Sequence, residues 1–240
     1  MIARVLKLLA SFVVCGCAST TYQPPPISEI ELKRAEVQMR DAELPSPTVR
    51  TLEETKEFFN KVKLDVYPSA LFVCASVGER SSIDCGWDFS IVDVDQFNAF
   101  ASGTNEITFF KKLIDSVGSE EELAFVIAHE IAHHIAGHIE DTNRNANTGA
   151  VFGAVIGLAL SSDSDDEEEQ LETLQDSINY GAQMAMRVYS VAQEQEADLL
   201  ALEILRHGQA DLKKARLVIP RMNRISAQSE LRSSFFDTHP

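Results

Sequence analysis

Cysteine and basic side chains are both scarce in this 240-residue chain. Of its four cysteines, two fall in the first 17 residues, leaving Cys74 and Cys85 in the body. Those two are too few and too poorly spaced for a cysteine-built zinc site. Lys and Arg number 21 against 37 Asp and Glu, a formal net charge of −16. Such a balance repels phosphate backbones and excludes a nucleic-acid partner. Long apolar runs are missing as well. Residues 8–14 and 149–160 are the apolar stretches of note, and both are too short to cross a bilayer as a helix. No internal repeat is visible. What remains is 45% hydrophobic, enough for one globular domain with a full core.

The first sixteen residues read as a targeting segment. Arg4 and Lys7 precede the apolar run from Leu8 to Val14. Gly16-Cys17-Ala18 follows and resembles a bacterial lipoprotein signal, in which a small residue precedes the cysteine that is acylated. Cys15, preceded by Val14, fits that pattern poorly, so Cys17 is the expected lipidation site. The alternative is an ordinary secretory signal with incidental cysteines. Ala18 stands where an aspartate typically retains such proteins in the inner membrane. The resemblance therefore implies the periplasmic face of the outer membrane. An exported chain meets an oxidising compartment, where a Cys74–Cys85 disulfide is expected; the alternative is two buried thiols.

The expected organisation is a signal peptide over 1–16, a tether and N-terminal helix over 17–50, and one domain over 51–240. Pro24-Pro25-Pro26 mark an extended tether. Ser28 with Glu31 is a capping box for a helix to about Glu43, and Pro45-Ser46-Pro47 breaks it. Thr51 with Glu54 opens another helix through about Lys63. Strands are expected over 71–77, 88–94 and 106–110, followed by a mainly helical remainder. Gly149, Gly153 and Gly157 recur every four residues ahead of an acidic block from Asp163 to Glu169. This segment reads as a packed small-residue helix and a solvated loop, with a flap or membrane-touching element as the alternative.

The chemistry centres on His129-Glu130-Ile131-Ala132-His133. Four residues on a helix return to one face, so both imidazoles can point at one metal ion. Glu130 lies about 100° around the axis from His129 and can reach a water activated by the metal without being a ligand. Ser119 with Glu122 caps this helix, and Glu120 and Glu121 suit its positive end. Its apolar residues point nearly all round the axis, so it is expected to be buried. Buried ionisable groups are costly unless paired or metal-bound.

A second helical stretch, capped by Ser190 and ended by His207-Gly208, carries Glu194 and Asp198 four residues apart. Glu194 can be the third ligand while Asp198 takes the second ring proton of a ligand histidine. Glu196 faces elsewhere and is not chosen. His134 and His138 form another i, i+4 pair that could hold a metal adventitiously, but with no third ligand they read as packing or surface residues. His207 is expected at a helix C-terminus.

Together these strings resemble the M48 peptidase family among the gluzincin metallopeptidases. Asn98-Ala99-Phe100-Ala101 resembles its edge-strand signature, and Glu121 to Ala128 its approach to the zinc motif. Tyr189-Ser190 with Glu194 to Asp198 resembles its third-ligand helix, and Thr238-His239-Pro240 its C-terminal histidine motif. The similarity covers about residues 51–240. It implies an α+β fold, mostly helical, with a small mixed sheet beside the zinc helix. It implies one Zn2+ per chain on His129, His133 and Glu194, and a metalloendopeptidase with Glu130 as general base. Substrate would pair with the edge strand at Asn98, Ala99, Phe100 and Ala101. His239 is expected near the zinc, either stabilising the oxyanion or acting as a latch. Relatives imply misfolded or stalled envelope proteins as substrates, in protein quality control. Two rival readings are a chaperone-like binding protein on the same fold and a zinc hydrolase acting on a non-protein envelope substrate.

Overall fold

Phe59, Val62, Val66, Ala70 and Val73 recur at three- and four-residue spacing, and all are buried. That stripe belongs to one long helix. In the computed structural model, which describes residues 26–78, 85–94, 97–102, 105–140 and 189–228, the elements run in the following order. Helix α1 (Glu29–Arg40) precedes α2 (Leu52–Gly78). Strands β1 (Asp88–Val92), β2 (Ala99–Ser102) and β3 (Glu106–Phe110) follow. Then come α3 (Lys111–Ser116), α4 (Glu120–Ile135), α5 (Val191–His207), α6 (Leu212–Ala215) and α7 (Val218–Gln228). The architecture is α+β and mostly helical, with a small mixed sheet.

Helix α2 corrects the expectation of a strand over 71–77. The β-branched and aromatic residues there suggested a strand, but the apolar stripe keeps helical period past Pro68, which sits inside the helix. Packing of that stripe on the core outweighs β-propensity, which spans only about 1 kcal/mol across residue types. Both ends of the helix are pinned. Glu54 donates its N–H to Thr51 Oγ1 at 3.3 Å, and the Glu54 carboxylate accepts from the Thr51 N–H at 2.8 Å, completing the expected capping box. Near the other end Cys74 is disulfide-bonded to Cys85, which lies just before β1.

The sheet order is β1-β3-β2. Strand β1 pairs with β3 in parallel, and β2 pairs with β3 antiparallel, Ala99 opposite Phe109 and Ala101 opposite Ile107. The Phe110 N–H donates to the Asn98 carbonyl at 3.0 Å. Bonding alternates along an antiparallel pair, so the main-chain groups of Ala99 and Ala101 turn away from β3, on the side where no described strand pairs with β2.

Every residue of α4 from Glu122 to Ile135 is buried. It lies between α2, α5, α6 and the β2 edge. Full burial of each large apolar side chain, such as Leu123, Ile127 and Ile131 at 0% exposure, stabilises by about 1.5–3 kcal/mol. The capping box expected at its start forms only by half. Ser119 Oγ accepts from the Glu122 N–H at 3.2 Å. The Glu122 carboxylate instead accepts from the Gly118 N–H at 3.1 Å and from Arg221 Nη2 at 3.0 Å. Arg221, on α7, forms a second contact through Nε and donates to the Pro45 carbonyl at 2.6 Å. Gly118 is required here: a Cβ would meet Arg221 Nη2 at 2.1 Å and the Pro45 carbonyl at 2.6 Å.

Helix α1 carries the expected Ser28–Glu31 capping box, ends at Arg40 and buries no residue. It is tied to the domain by Arg224, which donates to the Ala42 carbonyl at 2.6 Å and the Arg40 carbonyl at 3.2 Å. Among the described residues, no helix is long and apolar enough to cross a membrane.

Candidate metal centre

Helix α4 carries His129 and His133 one turn apart, and α5 packs against it with Glu194 and Asp198 one turn apart. Ser190 caps α5 through a complete box with Gln193, and Gly208 ends it. This fixes the register of the carboxylates. The Nε2 atoms of His129 and His133 face each other at 3.1 Å. Glu194 Oε2 lies 3.3 Å from His129 Nε2, and Oε1 lies 3.5 Å from His133 Nε2. One ligand atom from each of the three residues lies within 4.8 Å of the others, and all three side chains are buried.

Two imidazoles and one carboxylate are the donor set that zinc takes in catalytic sites. A further observation fits a cation at this point. Glu194 Oε1 is fully buried yet has no hydrogen-bond partner among the described residues. A buried carboxylate oxygen without a donor is costly unless a positive charge satisfies it. Sequence reasoning separated Glu194 from Glu196, and the helix register places Glu194, not Glu196, beside both imidazoles.

The electrostatics follow from the same packing. Burial works against a charged His129, but hydrogen bonds to Asp198 and Glu194 outweigh it and push its pKa up to about 10. The carboxylates that draw a proton onto His129 would equally favour a divalent ion. Burial pushes Glu130 up to about 7; His129 pulls it down, Glu194 pushes it further up, and the Ala101 backbone draws it back. Contact with the Ala101 backbone places the carboxylate of Glu130 beside β2. Burial also raises Glu194 and Tyr189. The Tyr189 ring stacks on His133 with centroids 3.9 Å apart.

These features converge on one assignment. Residues 73–240 match Peptidase family M48. The chain belongs to that family. It is accordingly a metallopeptidase, an enzyme that hydrolyses peptide bonds, and M48 metallopeptidases bind zinc. No curated protein matches the chain at a significant level.

The remaining predicted site residues divide by place. Asp198 Oδ1 lies 3.0 Å from His129 Nδ1, on the side of the ring away from Glu194. Asn98, Ala99 and Ala101 are buried, while Phe100 is half-buried and meets Phe110 edge-on at 5.9 Å. His207 ends α5, with Nε2 3.1 Å from Glu203 Oε1 and its ring against Phe72. Cys17, the glycine-acid segment from 149 to 169 and His239 lie outside the described residues.

Two further residues connect to this cluster. His138, read as packing or surface, is buried beside the metal-ligand candidate His133, with their Nδ1 atoms 3.0 Å apart. Glu196 does face away from the three-residue cluster, yet it reaches His138. His133, the partner of His138, is five positions before it, a spacing that a regular helix does not bring together. The available signal was Gly137, whose φ of +74° breaks α4 just after its end. His134 is a packing residue: it is buried, with Nε2 3.2 Å from the Glu106 carbonyl of β3.

Proposed function

We propose that this M48 peptidase is an endopeptidase of the bacterial envelope, with its zinc on His129, His133 and Glu194 and with Glu130 as general base. The observation that carries the reading is the buried convergence of those three side chains beside Glu130 at the edge of β2. Bound there, zinc would act as a Lewis acid, activating a water and polarising the scissile carbonyl.

The protein's own groups supply the rest. Asp198 accepts the Nδ1 proton of His129 and so presents Nε2 inward. The carboxylate of Glu130 takes a proton from the attacking water and returns one to the leaving amine. A peptide in extended form adds to β2, pairing with the main-chain groups of Ala99 and Ala101 that turn away from β3. Such pairing is indifferent to most side chains, which suits misfolded or stalled envelope proteins as substrates in quality control. Phe100 and Phe110 form the apolar surface beside that edge.

The N-terminal sequence supports placement on the periplasmic face of the outer membrane, through a lipid on Cys17, with 17–50 as tether and helix and 51–240 as the peptidase domain. His239 is proposed to serve this site as an oxyanion donor or as a latch. His239→Ala lowers turnover with zinc retained in the first case and raises basal cleavage in the second.

Cleavage of unfolded casein by the purified chain, with and without chelator, tests the activity. Chelator-sensitive cleavage is expected; cleavage untouched by metal removal would sink the zinc reading. Trapping in cells with Glu130→Gln, followed by identification of the retained proteins, tests the substrate class. Envelope proteins are expected, and their absence from the trapped set would remove the quality-control reading.

A further inference from the structure

His133 offers Nε2 to the metal position, so what holds its other nitrogen decides whether that lone pair points inward. The answer lies in two residues with no ligand role. Just past α4, Gly137 takes the left-handed conformation at φ +74°, with its N–H donating to the His134 carbonyl at 3.0 Å. The chain folds back at once and brings His138 Nδ1 to 3.0 Å from His133 Nδ1. His138 Nε2 in turn lies 3.3 Å from Glu196 Oε2. His138 and Glu196 are each 2% exposed. The Tyr189 ring stacks on His133 with centroids 3.9 Å apart and lies tilted against His138 at 6.0 Å.

Two nitrogens facing each other at 3.0 Å share one proton between them. If His133 gives the Nε2 lone pair to a metal, its proton sits on Nδ1 and must be donated outward. His138 can accept it only with Nδ1 bare, which puts the His138 proton on Nε2. That proton then points at Glu196 Oε2, an acceptor that carries none of its own when ionised. Each link fixes the next, and the row runs from His133 through His138 to the buried carboxylate of Glu196. His129 has a one-step counterpart in Asp198. Helix α5 thus supplies three carboxylates with three duties: Glu194 in the cluster, Asp198 behind His129, and Glu196 behind His133 through His138.

We propose that His138 and Glu196 are positioning residues that hold the metal ligand His133 in its Nδ1–H tautomer and fix the orientation of its ring. The proposal rests on zinc being held by His129, His133 and Glu194. Partners of this kind, when removed, typically cost about 10- to 100-fold in metal affinity.

The test uses the mature full-length chain. Zinc affinity is measured by chelator competition in the wild type and in His138→Phe, His138→Gln, Glu196→Leu and Glu194→Ala. Histidine tautomers are read from side-chain 15N shifts of the zinc-loaded wild type. His138→Phe and Glu196→Leu should each bind zinc about 10- to 100-fold more weakly. His138→Gln should recover much of that loss, because its amide oxygen can accept the His133 proton. The wild type should show His133 protonated at Nδ1 and His138 at Nε2. Wild-type affinity in folded His138→Phe or Glu196→Leu would overturn the proposal, as would a His138 proton on Nδ1. The nitrogen shifts decide the matter even where a variant does not fold. Glu194→Ala separates the two levels of inference: if it keeps full zinc affinity, the ligand assignment fails; if it loses zinc while the His138 and Glu196 variants do not, only the relay fails.

Discussion

Asp198 Oδ1 sits 3.0 Å from His129 Nδ1, across 69 residues of sequence. The contact lies on the far side of the imidazole from Glu194, so the two carboxylates of α5 grip one ring from both ends. Different consequences follow from removing each. Glu194→Ala should weaken zinc binding far more than Asp198→Asn. The second change should cost about 10- to 100-fold, because it leaves the ligands in place and disturbs only the orientation of His129. Chelator competition measures both, and a greater loss in Asp198→Asn would reverse the assigned roles.

Glu130→Gln should retain zinc and lose about 10²- to 10⁴-fold in peptidase turnover. The amide keeps the shape of the side chain but accepts no proton. Metal content and casein cleavage are measured on the same preparation. Near-normal cleavage by the zinc-loaded variant would remove Glu130 from the mechanism.

The start of the metal helix depends on the ion pair of Glu122 with Arg221, in which the side chains are 0% and 7% exposed. Deleting one partner strands a buried charge. Arg221→Met should therefore destabilise the fold by about 3–5 kcal/mol, read from chemical denaturation. Replacing both, with Glu122→Leu added to Arg221→Met, should cost less than Arg221→Met alone, since no charge is left unpaired. Gly118→Ala should also destabilise, because its Cβ would displace the guanidinium.

Two cysteine predictions are covalent. The Cys74–Cys85 disulfide closes a loop over a sequence separation of 11. Loop-closure entropy alone assigns it about 3 kcal/mol, so reduction should lower the melting temperature measurably. Mass spectrometry of the mature protein should find the lipid on Cys17. An unmodified Cys17 in protein extracted from membranes would contradict the anchor.

Several features were legible in the sequence because they are local. The facing of His129 and His133 follows from the period of a helix. The caps at Ser28, Thr51 and Ser190 follow from a hydroxyl that reaches a main-chain N–H three residues on. The choice of Glu194 over Glu196 also came from helical period, given a helix start at Ser190. Residue type also located the strands at Asp88–Val92 and Glu106–Phe110, but it misled at one place. Residues 71–77 have the composition of a strand, but their buried positions continue a helical stripe that begins at Phe59.

Tertiary structure alone decided the long-range pairings. Glu122 looks like the second half of a capping box, and only the arrival of Arg221, 99 residues later, turns its carboxylate away. Glu196 meets His138 across 58 residues, with no periodicity to announce it. A helix writes its own neighbours into the sequence, because spacing fixes direction around one axis. Contacts between helices depend on how two axes cross, and that is set by the packing of the whole core.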